Sequence, residues 1–305
     1  MLLTNARVIV MTAGPTNTFI AGHLVPSSPT PITLRMDNRL SLRLYTNCLP
    51  NFLEVAPLHK GLVLMLDGKE LIEEGMGFGV PVVKYRDKTF FSSSAKCYIE
   101  GIGNNCMLVK SFNLDTISRK RLWKTSFVND EFYGFFQKLF QKAYLDHKSL
   151  SPIFNRIMEL GKIMMVETEF IKVKPRGTIT LRYSCQPGII QIQVNLSELE
   201  LDECQEILIL NEQGASFFNR YLDTDGLSLL NEKIGAWEKV KAKEASLSDI
   251  EKTLEFTLRN RDQGFLFRGR ENTKNRFSWA GLSYSLEPKP SLFDYSIRLR
   301  VTGQN

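Results

Sequence analysis

The chain has 305 residues, 43% of them apolar, and carries a net charge of +6 from 39 Lys and Arg against 33 Asp and Glu. A chain of this size can bury a large core without staples, and so mild and dispersed a charge does not by itself demand a polyanionic partner. Five widely spaced cysteines (Cys48, Cys97, Cys106, Cys185, Cys204) with no C-x-x-C pair and no histidine nearby argue against a disulfide framework or a zinc site, and fit a reducing compartment.

No stretch approaches about 18 uninterrupted apolar residues, and the start lacks the basic and apolar regions of a secretory signal, so a cytoplasmic protein without a membrane partner is expected. Two-residue alternation then dominates the chain. It runs through "LSLRLYTN" (Leu40 to Asn47), "GLVLMLDGKELIEEG" (Gly61 to Gly75), "PVVKYRDKTFFSSS" (Pro81 to Ser94), "TITLRYS" (Thr178 to Ser184) and "IIQIQVNL" (Ile189 to Leu196). Half-buried strands have this period because successive side chains point to opposite faces. Asp67-Gly68, Arg86-Asp87, Pro187-Gly188 and Asp225-Gly226 supply tight reversals, so consecutive strands are expected to pair as antiparallel hairpins.

Between these sets, "NDEFYGFFQKLFQKAYLDH" (Asn129 to His147) places Phe132, Phe135, Phe136, Leu139, Phe140 and Ala143 at helical spacing behind an Asn129 N-cap. Ser151-Pro152 opens a shorter helix that Gly161 stops. The expected fold is mainly β: a large antiparallel β-sandwich forming a single domain over residues 1–305. Its parts are a β half at 1–128, a short helical insertion at 129–162 and a second β half at 163–305.

"EEGMGFGVPVVKY" (Glu73 to Tyr85) has glycines at 75, 77 and 79 and a lysine at 84. A dinucleotide fingerprint needs G-x-G-x-x-G and a helix directly after it, and Val80-Pro81-Val82-Val83 cannot open one. A kinase-type glycine loop would need H-R-D and D-F-G motifs, and neither occurs. Gly75, Gly77 and Gly79 instead leave part of a strand bare, so that a backbone or a bulky ring can approach. Close packing is the leading reading; in the other, a ligand touches Lys84 and Tyr85.

Three histidines (His23, His59, His147) give a histidine triad or a His-rich metal site little to draw on, and His23 and His59 are expected at the surface. "YLDTDGLSLLNE" has Asp223, Asp225, Gly226 and Glu232 at calcium-loop spacing, but Tyr221 occupies the first ligand position, and a hairpin turn explains the same residues. No metal and no cofactor is expected.

The C-terminal stretch Phe265 to Leu299 is the richest in chemistry. Arg268, Arg270, Glu271 and Arg276 offer planar hydrogen-bonding groups, and Trp279 and Tyr284 offer flat apolar faces. A pyranose calls for that combination, having one C–H-rich face and a rim of hydroxyls. The alternative is that the strand pleat deals the aromatics to the core and the charges to solvent; both remain open. Asn211, Glu212 and Gln213 follow the apolar "EILIL" run and suit either the rim of a site or a turn. The basic "ISRKRLWK" (Ile117 to Lys124) reads as a solvated loop, with phosphate-backbone binding as its functional alternative.

"PRGTITLRYSCQPGIIQIQVNLSEL" followed by "GLSYSLEPKPSLFDYSIRL" resembles the β-supersandwich of galactose-mutarotase-like, carbohydrate-active proteins over about residues 163 to 300. The resemblance implies stacked antiparallel sheets, a sugar ligand and a late glutamate general base, for which Glu287 in "SLEP" is the matching position. The family's histidine acid has no counterpart, since no histidine follows His147, so mutarotation by the family mechanism is not expected.

The leading functional expectation is a protein that binds or modifies a carbohydrate or sugar-like ligand through Arg268, Arg270, Glu271, Arg276 and Trp279, with Tyr85 and Lys84 contributing. In an enzymatic version Glu287 or Glu271 is the general base. The alternative is an interaction module whose aromatic helix 129–147 docks a second copy or another subunit. Nucleic-acid backbone binding through 117–124 ranks third.

Overall fold

The computed structural model describes residues 18–20, 23–25, 31–45, 59–73, 75–86, 89–90, 92, 94–100, 107–114, 117–123, 166–172, 174–273, 277–286 and 290–302. The helices expected within 129–162 lie outside these residues. The first strands are β1 (Thr18–Ile20), β2 (His23–Val25), β3 (Ile32–Arg35), β4 (Leu40–Leu44) and β5 (Leu62–Leu66). There follow β6 (Lys69–Glu70), β7 (Gly77–Tyr85), β8 (Thr89–Phe90), β9 (Ser94–Glu100) and β10 (Met107–Asn113). Next come β11 (Ile117–Trp123), β12 (Val166–Lys172), β13 (Gly177–Gln186), β14 (Ile189–Leu199) and β15 (Cys204–Gln213). The last are β16 (Arg220–Asp223), β17 (Ser228–Leu230), β18 (Glu238–Lys239), β19 (Glu244–Ser248), β20 (Leu254–Arg259), β21 (Phe265–Thr273), β22 (Phe277–Leu286) and β23 (Leu292–Val301).

The chain divides into two compact units, Ile117–Val173 and the pair Met1–Thr116 with Lys174–Asn305. In the smaller unit β11 pairs antiparallel with β12, and Lys120 stands opposite Glu169. The basic stretch expected as a solvated loop is therefore a strand over 117–123.

The larger unit holds two large sheets. One runs β1-β2-β9-β10-β13-β14-β23-β20-β19-β16-β17, and the other β18-β21-β22-β15-β7-β5-β4-β3, with β6 beside β5 and β8 beside β7. The pairings are antiparallel, as alternation and short turns require. At the β5–β6 reversal both Asp67 and Gly68 have positive φ, the backbone of a two-residue turn that follows the strand twist. Other neighbours are far apart in sequence: β7 pairs with β15, and β14 with β23.

The two sheets stack as a β-sandwich. Ile179, Leu181 and Tyr183 of β13, Ile190, Ile192 and Val194 of β14, and Phe293, Tyr295 and Ile297 of β23 are buried, while the residues between them are more exposed. Rings from the two sheets meet edge-on, Phe78 on Phe256 at 5.2 Å and Tyr284 on Tyr295 at 5.0 Å between centroids. On the second sheet β5 and most of β7 are buried on both faces, and Val80, Val82 and Leu210 form an apolar cluster with Met76 and Leu208. Pro81 fits in β7 because the pairing of β7 with β5 is confined to Leu62 and Phe78, leaving one side of β7 without a ladder at Pro81.

Candidate functional site

The pleat of β21 and β22 decides where the late arginines and tryptophan point. Leu266, Arg268 and Arg270 share one face of β21 and pair with Tyr284, Leu282 and Ala280 of β22, all buried toward the other sheet. Glu271 pairs with Trp279 and Gly269 with Gly281, on the opposite face. The arginines and Trp279 therefore do not converge in one hollow.

The arginines are held by the protein itself. Arg268 donates to the Glu238 carboxylate and lies 5.0 Å from the Tyr221 ring centroid. Arg270 donates from Nη2 to the Ala215 carbonyl at 3.1 Å, and its Nη1 is 3.7 Å from Glu232. Its side chain is only 3% exposed. Both guanidinium groups tie the edge of the second sheet to the segments beside it.

The outward face gathers a different set. Trp237, just before β18, stacks on Trp279 with centroids 4.8 Å apart and planes 17° from parallel. The two indoles lie over Gly269, where an added Cβ would stand 2.9 Å from Trp279 and 3.0 Å from Trp237. One strand further in, Glu212 lies over Gly281, where a Cβ would be 2.8 Å from Glu212 Cγ. Two paired glycines thus seat an aromatic pair and a carboxyl side by side.

Glu212 is 7% exposed, and its Oε2 accepts a hydrogen bond from the Met76 N–H at 3.1 Å. Burial pushes its carboxyl up to about 7, although that hydrogen bond and the Lys60 ammonium favour the charged form. At neutral pH both forms are populated, so the group can donate as well as accept. Nearby, Glu73 has a φ of 47°, and its Oε2 accepts from the Ser216 N–H at 3.1 Å and from the Ser278 hydroxyl. Lys60 Nζ donates to the Glu73 carbonyl at 2.9 Å.

The remaining expected residues lie elsewhere. Lys84 is exposed and stands opposite Glu206, two residues beyond Leu208, whose partner Ser285 is itself six residues along β22 from Trp279, about 20 Å at strand rise. Tyr85 is buried, donates its hydroxyl to the Glu200 carbonyl and packs edge-on against Phe90 at 5.1 Å. Arg276 and Glu287 lie outside the described residues. His59, expected at the surface, is 5% exposed, a correction that alternation around a loop residue could not supply.

The three-glycine stretch is packing. A Cβ at Gly79 would meet Leu181 at 2.8 Å and the Tyr183 hydroxyl at 2.9 Å, and one at Gly77 would meet the Leu62 carbonyl at 2.9 Å. At the Asp225-Gly226 turn, Asp223 Oδ1 accepts from the N–H groups of Asp225 and Leu227, each at 3.0 Å, so it serves the turn. Among the described residues no group of three or more His, Cys, Asp or Glu could hold a metal ion. Cys97, Cys185 and Cys204 are not in disulfides. No helix among the described residues is long and apolar enough to cross a membrane.

A groove of about 470 Å³ opens on the first sheet, lined by Leu222, Ser246, Thr257 and Arg298 among others. It has no aromatic platform, and Glu244 at its wall is already paired with Arg259 and Arg298. The Trp237–Trp279–Glu212 group is the stronger candidate because it joins exposed aromatic surface to a carboxyl of altered acidity. In the sequence Glu212 suits a rim or a turn equally, and it lies within β15; Trp237 has no sequence signal beyond a tryptophan between a glycine-containing turn and two charges.

No protein-family model matches this chain, and no curated protein matches it. Among solved structures it is similar to the Slr1438 protein from Synechocystis sp. PCC 6803, with 9% identity over 91% of this chain and 98% of that one, at a TM-score of 0.38. It is also similar to HI1317, with 7% identity over 98% of this chain and 100% of that one, at a TM-score of 0.40.

Proposed function

We propose that the protein binds a saccharide or sugar-like polyhydroxylated ligand on the outward face of β21 and β22. The observation that carries this reading is the stacked Trp237–Trp279 pair standing beside the Glu212 carboxyl over paired glycines. An indole face suits the C–H face of a pyranose, and a carboxyl exchanging between acid and carboxylate suits hydroxyls that donate and accept. Glu271, in register with Trp279, adds a second carboxyl on the same face. Such an acid also supports proton transfer at a sugar oxygen, the chemistry that the mutarotase-like resemblance implies for a glutamate. In this reading Arg268 and Arg270 are framework residues.

Thermal-shift and calorimetric titration against neutral sugars and sugar phosphates tests the proposal. Wild-type protein gains stability with a neutral sugar, and Trp237→Ala and Trp279→Ala, checked for folding by circular dichroism, lose the gain. A folded wild type that responds to no sugar overturns it.

A further inference from the structure

The aromatic surface does not end at the tryptophan pair. Phe265, Phe267, Gly269 and Glu271 occupy successive outward positions of β21, the face opposite buried Leu266, Arg268 and Arg270. Lys239 of β18 is in register with Phe267, and Trp237, two residues earlier in the chain, overlies Gly269. Phe265, Phe267 and the indole pair therefore form one row along the strand. Outward positions repeat about every 7 Å, so three of them span about 14 Å, longer than one pyranose ring. Phe265 is 39% exposed and Trp237 38%, a row of apolar surface open at both ends.

Polar groups border this row. Ser285, opposite Phe265, donates its hydroxyl to the Glu206 carboxylate at 2.9 Å, and Lys239 Nζ lies 3.2 Å from the Phe265 ring centroid on an exposed stem. We infer that the ligand is an oligosaccharide chain lying along β21, with one unit on Trp237 and Trp279 and a later unit on Phe265, where the Lys239 ammonium swings aside to donate to sugar oxygens. This rests on the sugar reading above and adds the class of sugar. A monosaccharide would leave Phe265 and Phe267 without a role, whereas a chain uses alternate rings along a flat strand as successive platforms.

The test titrates the full chain with gluco-oligosaccharides of one to five units, α-1,4-linked and β-1,4-linked, by calorimetry. Affinity in one series is expected to rise at least tenfold from the monosaccharide to the tetrasaccharide. Phe265→Ala should remove that gain while leaving the monosaccharide affinity unchanged, Phe265→Tyr should retain it, and Trp237→Ala should weaken every length. An affinity independent of chain length, or a tetrasaccharide affinity indifferent to Phe265→Ala, overturns the chain but leaves sugar binding standing. No binding at any length overturns both. Light scattering adds a separate outcome: a wild-type dimer that Phe265→Asp dissociates makes the row a contact between copies and also overturns the inference.

Discussion

Tyr183 of β13 donates its hydroxyl to the carbonyl of Gly79 on β7, 3.1 Å away across the two sheets. The tyrosine can reach the backbone because position 79 has no Cβ and a φ of +78°. Gly79→Ala should therefore lower unfolding stability by about 2–4 kcal/mol, through backbone strain together with overlap on Leu181 and Tyr183. Tyr183→Phe, which removes only the hydroxyl, should cost about 1 kcal/mol. Urea midpoints of the two variants check the order.

Asn211 is a second tie between the sheets. Its Oδ1 accepts from the Gly79 N–H at 3.0 Å and from the Tyr295 hydroxyl at 2.8 Å, all buried. Asn211→Leu strands both donors and should cost about 2–6 kcal/mol, since each unsatisfied group costs about 1–3 kcal/mol. Adding Tyr295→Phe removes one stranded donor, so the double variant should be less unstable than the sum of the two single variants. A double-mutant cycle by urea denaturation measures that coupling.

These ties explain what was legible in the sequence. Alternation in "TITLRYS" and "IIQIQVNL" exposed the strands and their buried faces, and Asp67-Gly68 and Pro187-Gly188 exposed hairpins, because both signals are local. The pairing of β7 with β15 was not legible, since no local residue specifies a partner more than a hundred positions away. The site failed for a related reason. Arg270 and Glu271 are neighbours in sequence but lie on opposite faces, and Trp237 reaches Trp279 only through the register of β18 on β21. The period of two gives the alternative for 265–299, but with the charges in solvent and the aromatics in the core, whereas Arg268 and Arg270 are buried and Phe265 and Trp279 lie on the opposite, outward face.

Glu212 should give stability a pH dependence. Its folded value, about 7, lies above an ordinary 4.5, so the folded protein holds a proton that the unfolded chain releases as pH rises between them. The contribution is fully present below about pH 4.5, declines as pH rises and is lost above about 7, a change of roughly 3 kcal/mol. Glu212→Gln, which keeps an acceptor for the Met76 N–H, should flatten this slope. Urea midpoints from pH 5 to 8 for both proteins check it, and equal slopes would remove Glu212 as the titrating group.

The two faces of β21 should separate stability from binding. Arg270→Met strands the Ala215 carbonyl inside the fold and should cost about 1–3 kcal/mol, while the sugar affinity of the folded fraction stays within twofold. Trp237→Ala removes a partly exposed ring and should cost only about 1 kcal/mol of stability, mainly the stacking on Trp279. Its sugar affinity should fall at least tenfold, about 1.4 kcal/mol. Denaturation and calorimetry on the same two variants give four numbers, and the proposal requires the larger stability loss and the larger affinity loss to fall on different residues. If Arg270→Met abolished sugar binding in protein that remains folded, the ligand would have to reach the inward face, where Arg268 and Tyr221 already fill the space against Glu238.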